Sequence, residues 1–140
     1  MSDLLKMIEA ARAALQLSYS PYSNFPVGAC LRTTDNQLFA ACNIENASYS
    51  LTLCAEAAAI ACMVSAGARQ IKEVVVMGKG SELCAPCGAC RQRLREFASL
   101  DILVHICDLN GIRKTMTLEE LLPVSFGPHN LERKHDSISD

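Results

Sequence analysis

The alternation of apolar and polar positions predicts one α/β domain that begins with a helix and a hairpin of strands. Apolar residues recur every three to four positions over residues 3–18, which is typical of an amphipathic helix. Residues 27–33 are then predicted to form a strand that turns at Asp35-Asn36 and returns as a second strand over 37–42. Residues 43–52 are polar and irregular, so we predict a loop that contributes to a site.

The second half of the chain alternates helical and strand-like patterns. Gly67 is predicted to close one helix and Pro86 to begin another, because these residue types favour the ends and starts of helices. The predicted elements are a helix over 54–66, a strand over 71–77, a helix over 86–99, strands over 102–107 and 112–116, and a short helix over 118–122. This order predicts a layered α-β-α single domain with a central mixed β-sheet flanked by helices.

Length and composition agree with a single globular domain. The chain has 140 residues, of which 50% are hydrophobic and 20% are charged. We expect the domain to span residues 1–128 and a polar tail to span 129–140. The small apolar excess on so short a chain hints at a buried interface between subunits.

Charge and hydropathy exclude several classes of partner. The net charge is −2 and its charges are dispersed, without the basic stripe and aromatic platforms of a nucleic-acid binder. No apolar run approaches the length of a membrane span, and the N-terminus does not have the pattern of a signal peptide. We therefore expect a cytoplasmic protein with neither a nucleic-acid nor a membrane partner.

The eight cysteines divide into two groups. Four lie in apolar surroundings and are expected to be small buried residues of the core: Cys30, Cys42, Cys62 and Cys107. The other four lie near two predicted helix starts, where the helix dipole favours thiolates.

Three of the cysteines at the helix starts form a candidate zinc site. Cys87 and Cys90 have i, i+3 spacing and so face the same way, while Cys54 begins the other helix. Three protein ligands leave the fourth position of a zinc ion open, as in catalytic sites, whereas structural zinc usually has four ligands. Cys84 could supply that fourth thiol and close a structural site, and this alternative remains open. Glu56 is either a proton carrier beside the metal or a residue that complements the helix dipole.

The segments around the cysteines closely resemble cytidine deaminase in its short, homotetrameric, zinc-dependent form. The resemblance covers about residues 4–128. The segments that carry it are, in chain order, Tyr19-Ser20-Pro21-Tyr22-Ser23-x-Phe25-x-Val27-Gly28-Ala29, Cys42-Asn43-Ile44-Glu45-Asn46-Ala47-Ser48-Tyr49, Cys54-Ala55-Glu56, Pro86-Cys87-Gly88-Ala89-Cys90-Arg91-Gln92 and Leu121-Leu122-Pro123-x-x-Phe126-Gly127-Pro128.

The resemblance implies hydrolytic deamination of cytidine and deoxycytidine to uridine and deoxyuridine in pyrimidine salvage, with Zn²⁺ as cofactor. It implies that zinc-bound hydroxide is the nucleophile and Glu56 the proton shuttle. The remaining implied roles are zinc binding by Cys54, Cys87 and Cys90; ribose binding by Asn43 and Glu45; base packing by Phe25; backbone contacts to the pyrimidine around Ala55 and Ala85; and contributions of Ala47, Tyr49 and Phe126 to the pocket of a neighbouring subunit.

The main departure from the family's pattern is at position 57, and a smaller one is Ala85, where serine is common. The family usually has arginine directly after the Cys-Ala-Glu segment, and this arginine is understood to bind the sulfurs of the metal centre, but residue 57 is alanine here. Three thiolates on Zn²⁺ leave a net charge near −1, which the helix N-termini offset only in part. Arg91 is the nearest basic residue that could supply further compensation.

Other functions are compatible with parts of the pattern. A zinc deaminase could act on another cytosine compound, such as an aminoacyl-nucleoside, although the ribose-binding segment 43–46 argues against this. Polynucleotide deaminases are disfavoured because position 54 is not histidine and the surface is not basic. A structural zinc module remains the alternative outside the enzymes.

Overall fold

The computed structural model describes residues 1–131 of the chain. Its elements in chain order are α1 (Asp3–Leu15), β1 (Val27–Thr33), β2 (Leu38–Cys42), α2 (Ala55–Ser65), β3 (Ile71–Gly78), α3 (Gly88–Phe97), β4 (Ala98–Asp108), β5 (Gly111–Thr117) and α4 (Leu118–Leu121). Two short 3₁₀ segments, Tyr49–Leu51 and Pro128–Leu131, complete the described chain. Most of the predicted tail, from residue 132 onward, lies outside the described residues.

The strands form one five-stranded sheet in the order β2-β1-β3-β4-β5. β3 and β4 are parallel, and every other neighbouring pair is antiparallel. The connection between the parallel pair contains α3, as parallel strands require a long crossover. The mixed central sheet predicted from the sequence is thus confirmed.

Helices cover both faces of the sheet. Successive strand residues point to opposite faces, so β3 contributes Val75 and Met77 to one side and Val74 and Val76 to the other. The first side packs against α1 together with Cys30 and Cys107. The other side packs against the apolar residues of α2, α3 and α4, among them Met63, Leu94 and Leu118. The predicted three-layer architecture is therefore confirmed.

The element boundaries differ most from the sequence-based prediction at α1, α3 and β4. α1 ends at Leu15 rather than at residue 18, because Ser18 and Tyr19 turn away to hydrogen bond with the main chain at Asn43. α3 begins at Gly88 with Cys87 as its N-cap, so Pro86 lies before the helix. β4 begins at Ala98, immediately after α3, because its first residues pair with the start of β3.

The cysteines expected in the core do not all lie there. Cys30 and Cys107 are buried, Cys42 is intermediate and Cys62 is exposed, so the expectation was wrong for Cys62. α2 places Cys62 on its outer side, whereas Ala59 and Met63 face the sheet.

Within residues 1–131, none of the helices combines the length and the apolar character that a membrane span needs.

Candidate active site and metal centre

The N-termini of α2 and α3 bring three cysteine thiols together. Cys54 is the N-cap of α2, Cys87 is the N-cap of α3, and Cys90 lies in the first turn of α3. Their Sγ atoms lie within 4.8 Å of one another. Cys90 is buried, Cys54 is intermediate and Cys87 is exposed, so the group opens toward the surface on one side. The trio predicted from spacing alone is assembled in the fold.

The three thiols differ in proton affinity. Burial raises the pKa of Cys54 and of Cys90 above the usual range. Burial also acts to raise the pKa of Cys87, but hydrogen bonds from the backbone N–H groups of Cys90 and Ala89 and from the two neighbouring thiols lower it overall. Cys87 is therefore the first thiolate of the cluster, stabilised at a helix N-terminus.

The chemistry of this donor set fits zinc. Thiolate sulfurs are preferred ligands of Zn²⁺, and three of them leave one of the four tetrahedral positions for a water or a substrate. The group of potential ligands within residues 1–131 consists of these three thiols and does not include Cys84. The arrangement therefore has the ligand number of a catalytic centre, and the four-cysteine alternative finds no support in the geometry.

Cys84 has a different environment. Its side chain lies directly over Gly78 at the end of β3, where an added Cβ would lie 2.7 Å from the Cys84 Sγ atom. Burial raises the pKa of the Cys84 thiol to about 11, and the nearby charge of Glu56 acts in the same direction. Cys84 is therefore a neutral thiol that packs against the glycine.

Glu56, the second residue of α2, lies beside the thiols and is only 4% exposed. Burial raises the pKa of its carboxyl group, while its own backbone N–H, the Cys90 thiol and the charge of Arg93 partly oppose this effect. A carboxyl group with a raised pKa holds a proton more readily near neutral pH, which suits general acid–base chemistry. The side chain thus combines contact with the cluster and a suitable proton affinity.

Arg91, whose side-chain direction the sequence leaves open, contacts the main chain. Its guanidinium donates hydrogen bonds to the carbonyl oxygens of Pro86 and Leu121, each at 2.7 Å, and so holds the segment before Cys87 against α4. Arg93 instead directs Nη1 to the Cys90 Sγ atom at 3.7 Å. Arg93 was not among the residues predicted for the site, because its spacing of three from Cys90 places it on the same side of α3 but does not give the direction of its long side chain.

The two predicted ribose-binding residues lie in the loop after β2 and are already hydrogen bonded. The Asn43 side chain accepts from Val27 N and the Ser18 hydroxyl and donates to Phe25 O at 3.0 Å, which leaves one amide hydrogen without a partner among residues 1–131. The Glu45 carboxylate accepts from Tyr22 N at 2.8 Å and from Ser23. The hydrogen bond from the Ser23 hydroxyl is the main cause that lowers the pKa of Glu45, which is therefore anionic.

Glu45 borders a surface cleft of about 340 Å³ with aromatic walls. Tyr22 and Tyr49 form its sides, with their rings 6.1 Å apart in an edge-to-face arrangement. Phe25 is half-exposed, and its ring lies above Gly78 and Gly80. The cleft is a place where a sugar can meet a carboxylate and aromatic rings.

The remaining predicted site residues divide between the buried helix start and the surface. Ala55 is fully buried at the first position of α2, and Ala85 lies just before Pro86 in the loop that precedes α3. Ala47, Tyr49 and Phe126 are exposed on the single chain. Their exposure makes them available to another molecule.

Comparison with known proteins places these observations in a family. The sequence model described as "Cytidine and deoxycytidylate deaminase zinc-binding region" matches residues 1–106. The chain belongs to this family. A cytidine deaminase of Sporosarcina psychrophila is 40% identical over 129 residues, which span 92% of this chain and 95% of that protein. A cytidine deaminase of Halalkalibacterium halodurans is also 40% identical, over 89% of this chain and 94% of that protein.

Solved structures of the family have the same fold. The crystal structure of cytidine deaminase from Burkholderia pseudomallei matches with a TM-score of 0.84 and 41% identity, over 90% of this chain and all of that one. The structure from Mycobacterium tuberculosis matches with a TM-score of 0.79 and 33% identity, over 91% and 99% of the two chains. The resemblance inferred from the sequence motifs is thereby confirmed.

Proposed function

We propose that this protein is a zinc-dependent hydrolase that converts cytidine and deoxycytidine to uridine and deoxyuridine with release of ammonia. The observation that carries the proposal is a buried carboxyl group, Glu56, beside three convergent thiols within the zinc-binding region of a deaminase family. The extensive similarity to cytidine deaminases supports cytidine as a substrate.

The proposed mechanism divides the chemistry between the metal and the chain. Cys54, Cys87 and Cys90 would hold the zinc ion, which would supply Lewis-acid chemistry toward a water molecule. Glu56 accepts the proton that this water loses as its oxygen bonds to C4 of the cytosine ring, and delivers it to N3. Glu56 then carries the second water proton to the amino group, the C4–N bond breaks, and ammonia leaves. Its raised pKa supports both transfers.

The loop residues are proposed to bind the nucleoside. The anionic Glu45 accepts hydrogen bonds from ribose hydroxyls, and the free amide hydrogen of Asn43 donates one. Phe25 packs against the base, and backbone groups around Ala55 and Ala85 hydrogen bond with the pyrimidine edge. Because Asn43 also holds the start of β1, its replacement would disturb the fold of this loop as well as binding.

The complete pocket is proposed to require neighbouring subunits in a homotetramer. Ala47, Tyr49 and Phe126 would contribute to the pocket of an adjacent copy, and their exposure on the single chain supports this. Eight cysteines and a thiolate metal site suit the reducing cytoplasm, where the protein would act in pyrimidine salvage. An active monomer in solution would contradict the shared pocket.

The variant Glu56→Gln tests the proposed mechanism. It removes the proton carrier but leaves the three thiols, so the protein should retain zinc and lose about 10²- to 10⁴-fold or more in turnover of cytidine. Zinc content and ammonia release are measured on the same preparation. Glu119→Gln, an equivalent change at an exposed position of α4, is the control and should keep normal turnover. Near-normal deamination by Glu56→Gln would refute the role of Glu56.

A further inference from the structure

The thiol cluster requires positive charge that α2 does not provide. Three thiolates on Zn²⁺ have a net charge near −1, and partial burial makes an uncompensated charge costly. α2 contains no basic residue, and position 57, which follows Cys54 by three residues and so shares its side of the helix, is alanine. The compensating charge must therefore come from a different element.

α3 contains three arginines, and they have different partners. Arg91 is bound to the carbonyl groups of Pro86 and Leu121, and Arg95 donates to the Ser125 hydroxyl at 3.0 Å. Arg93 donates to the Cys90 Sγ atom at 3.7 Å, within hydrogen-bond range for sulfur. In the described chain, Arg93 is the one basic residue with a hydrogen bond to a thiol of the cluster.

The position of Arg93 also relates it to Glu56. Its charge acts on the Glu56 carboxyl group, so the guanidinium lies within electrostatic range of both the sulfur and the proton carrier. Cys90 is completely buried, whereas Arg93 reaches it from the exposed side of α3. The contact is therefore made at the edge of the cluster, where a long cationic side chain can approach without being buried itself.

We propose that Arg93 is a positioning residue of the metal centre, which supplies from α3 the positive charge that α2 lacks. By hydrogen bonding to the Cys90 sulfur it stabilises the thiolate and withdraws electron density from it. A less electron-rich set of sulfurs leaves the bound metal a stronger Lewis acid. The effect on turnover rests on the proposed function, whereas the effect on metal binding does not.

The test compares three variants at position 93 and one control. Arg93→Ala removes the charge, Arg93→Lys keeps a charge, and the double variant Arg93→Ala/Ala57→Arg places an arginine on α2 instead. Arg69→Ala is the control, because this exposed arginine after α2 donates, within the described part of the chain, only to the Val64 carbonyl. Zinc affinity is measured by competition with a chromophoric chelator. The sulfur-to-cobalt charge-transfer band is recorded after zinc has been replaced by Co²⁺, and kcat and KM are determined with cytidine.

Arg93→Ala should lose about 10- to 100-fold in zinc affinity and in kcat, with a shifted cobalt band and little change in KM. Arg93→Lys and the double variant should recover part of both losses, and Arg69→Ala should match the wild type. Wild-type affinity, band and kcat in Arg93→Ala would overturn the proposal. Losses that neither Arg93→Lys nor the double variant recovers would overturn the role of charge. Wild-type protein that binds zinc but fails to deaminate would refute the proposed function, while the affinity measurements would still decide the role of Arg93.

Discussion

Glu56 and Cys87 both lie at the start of a helix, yet their environments shift proton affinity in opposite directions. Burial dominates at Glu56 and raises its pKa, so the carboxyl group can carry a proton. At Cys87, hydrogen bonds from two backbone N–H groups and two thiols outweigh burial and lower the pKa. The start of α2 therefore favours a proton carrier at Glu56, and the start of α3 favours a thiolate metal ligand at Cys87. Both groups belong to one site.

The position of Cys84 leads to a prediction at the same scale. Cys84→Ser should keep bound zinc, because this thiol packs over Gly78 and is not part of the ligand group. Cys87→Ser is the matched control and should lose most of the metal, since it removes one of the three converging thiols. Metal content by elemental analysis distinguishes them, and loss of zinc in Cys84→Ser would revive the four-cysteine structural site.

Sequence patterns could identify the cysteines that bind the metal, but they could not identify the arginine that contacts their sulfurs. The i, i+3 spacing of Cys87 and Cys90 fixes their common direction as soon as a helix is assumed. The direction of a long arginine side chain depends on which acceptors the fold brings near it. Arg91 donates hydrogen bonds to two carbonyl groups and Arg93 donates one to a sulfur, and the spacing alone predicts neither contact.

At the scale of elements, the packing of α1 on the sheet depends on Gly28. A Cβ atom added at this β1 residue would lie 2.1 Å from the carbonyl oxygen of Ala11 and 2.8 Å from the backbone N of Leu15. These atoms belong to the main chain of α1 and cannot move aside as a side chain would. The glycine thus allows the helix to approach the sheet closely.

Gly28→Ala should therefore destabilise the protein by about 1–3 kcal/mol or more, because the added methyl group forces α1 away from the sheet. The free energy of unfolding in urea measures this effect. Gly88→Ala is the control, since a Cβ there has no neighbour within 4 Å and Gly88 lies at the start of α3. Equal stability of the two variants would contradict the close packing of α1.

A second feature at this scale is a polar network across four strands. Glu73 of β3 accepts hydrogen bonds from Arg32 of β1 and lies 2.6 Å from Nε2 of His105 of β4. The other ring nitrogen of His105 lies 2.9 Å from the Thr115 hydroxyl. Burial acts to raise the pKa of Glu73, but Arg32 and His105 outweigh it and lower the pKa overall. The network joins β1, β3, β4 and β5.

The lowered pKa of Glu73 determines how its contribution depends on pH. The stabilisation is fully present above the unfolded pKa, about 4.3, and is lost as the pH falls through the lower folded pKa. Glu73→Gln should cost about 1–2 kcal/mol at pH 7, and the difference from the wild type should shrink below about pH 4. Glu9→Gln, which breaks an exposed ion pair with Arg12, should change stability little at either pH. Urea unfolding at both pH values provides the test, and a constant difference would contradict the assignment.

The alternation of apolar and polar residues predicted the element bounds well where the strands are buried. It predicted them less well where one element runs directly into the next. β1 has the predicted bounds, Val27–Thr33, because its apolar run ends at a turn. The junction of α3 and β4 was misplaced, since residues 98–101 become a strand through pairing at the start of β3 and packing of Ala98 and Leu100 on the core. Such pairing partners are distant in sequence and leave no local pattern.

At the scale of the whole molecule, the site combines a buried part, which includes Glu56 and Cys90, with a cleft that is open on the single chain. The helix starts that hold the thiols and Glu56 pack on the central sheet. The cleft beside Glu45 is bordered by Tyr22 and Tyr49, of which Tyr49 is 76% exposed. The spacing of the cysteines could indicate the thiol cluster, but only the family's motifs could indicate the open surface, because the proposed shared pocket depends on how copies assemble.

Turnover of cytidine and metal content, measured on one preparation of the wild-type protein, decide whether the thiol cluster is a catalytic zinc site. We expect about one zinc per chain and a fall in the absorbance of cytidine accompanied by an equal amount of ammonia. Removal of zinc by a chelator should abolish the reaction, and its return should restore it. Protein that retains its zinc but releases no ammonia from cytidine or deoxycytidine would refute the proposed deaminase and favour a structural metal site.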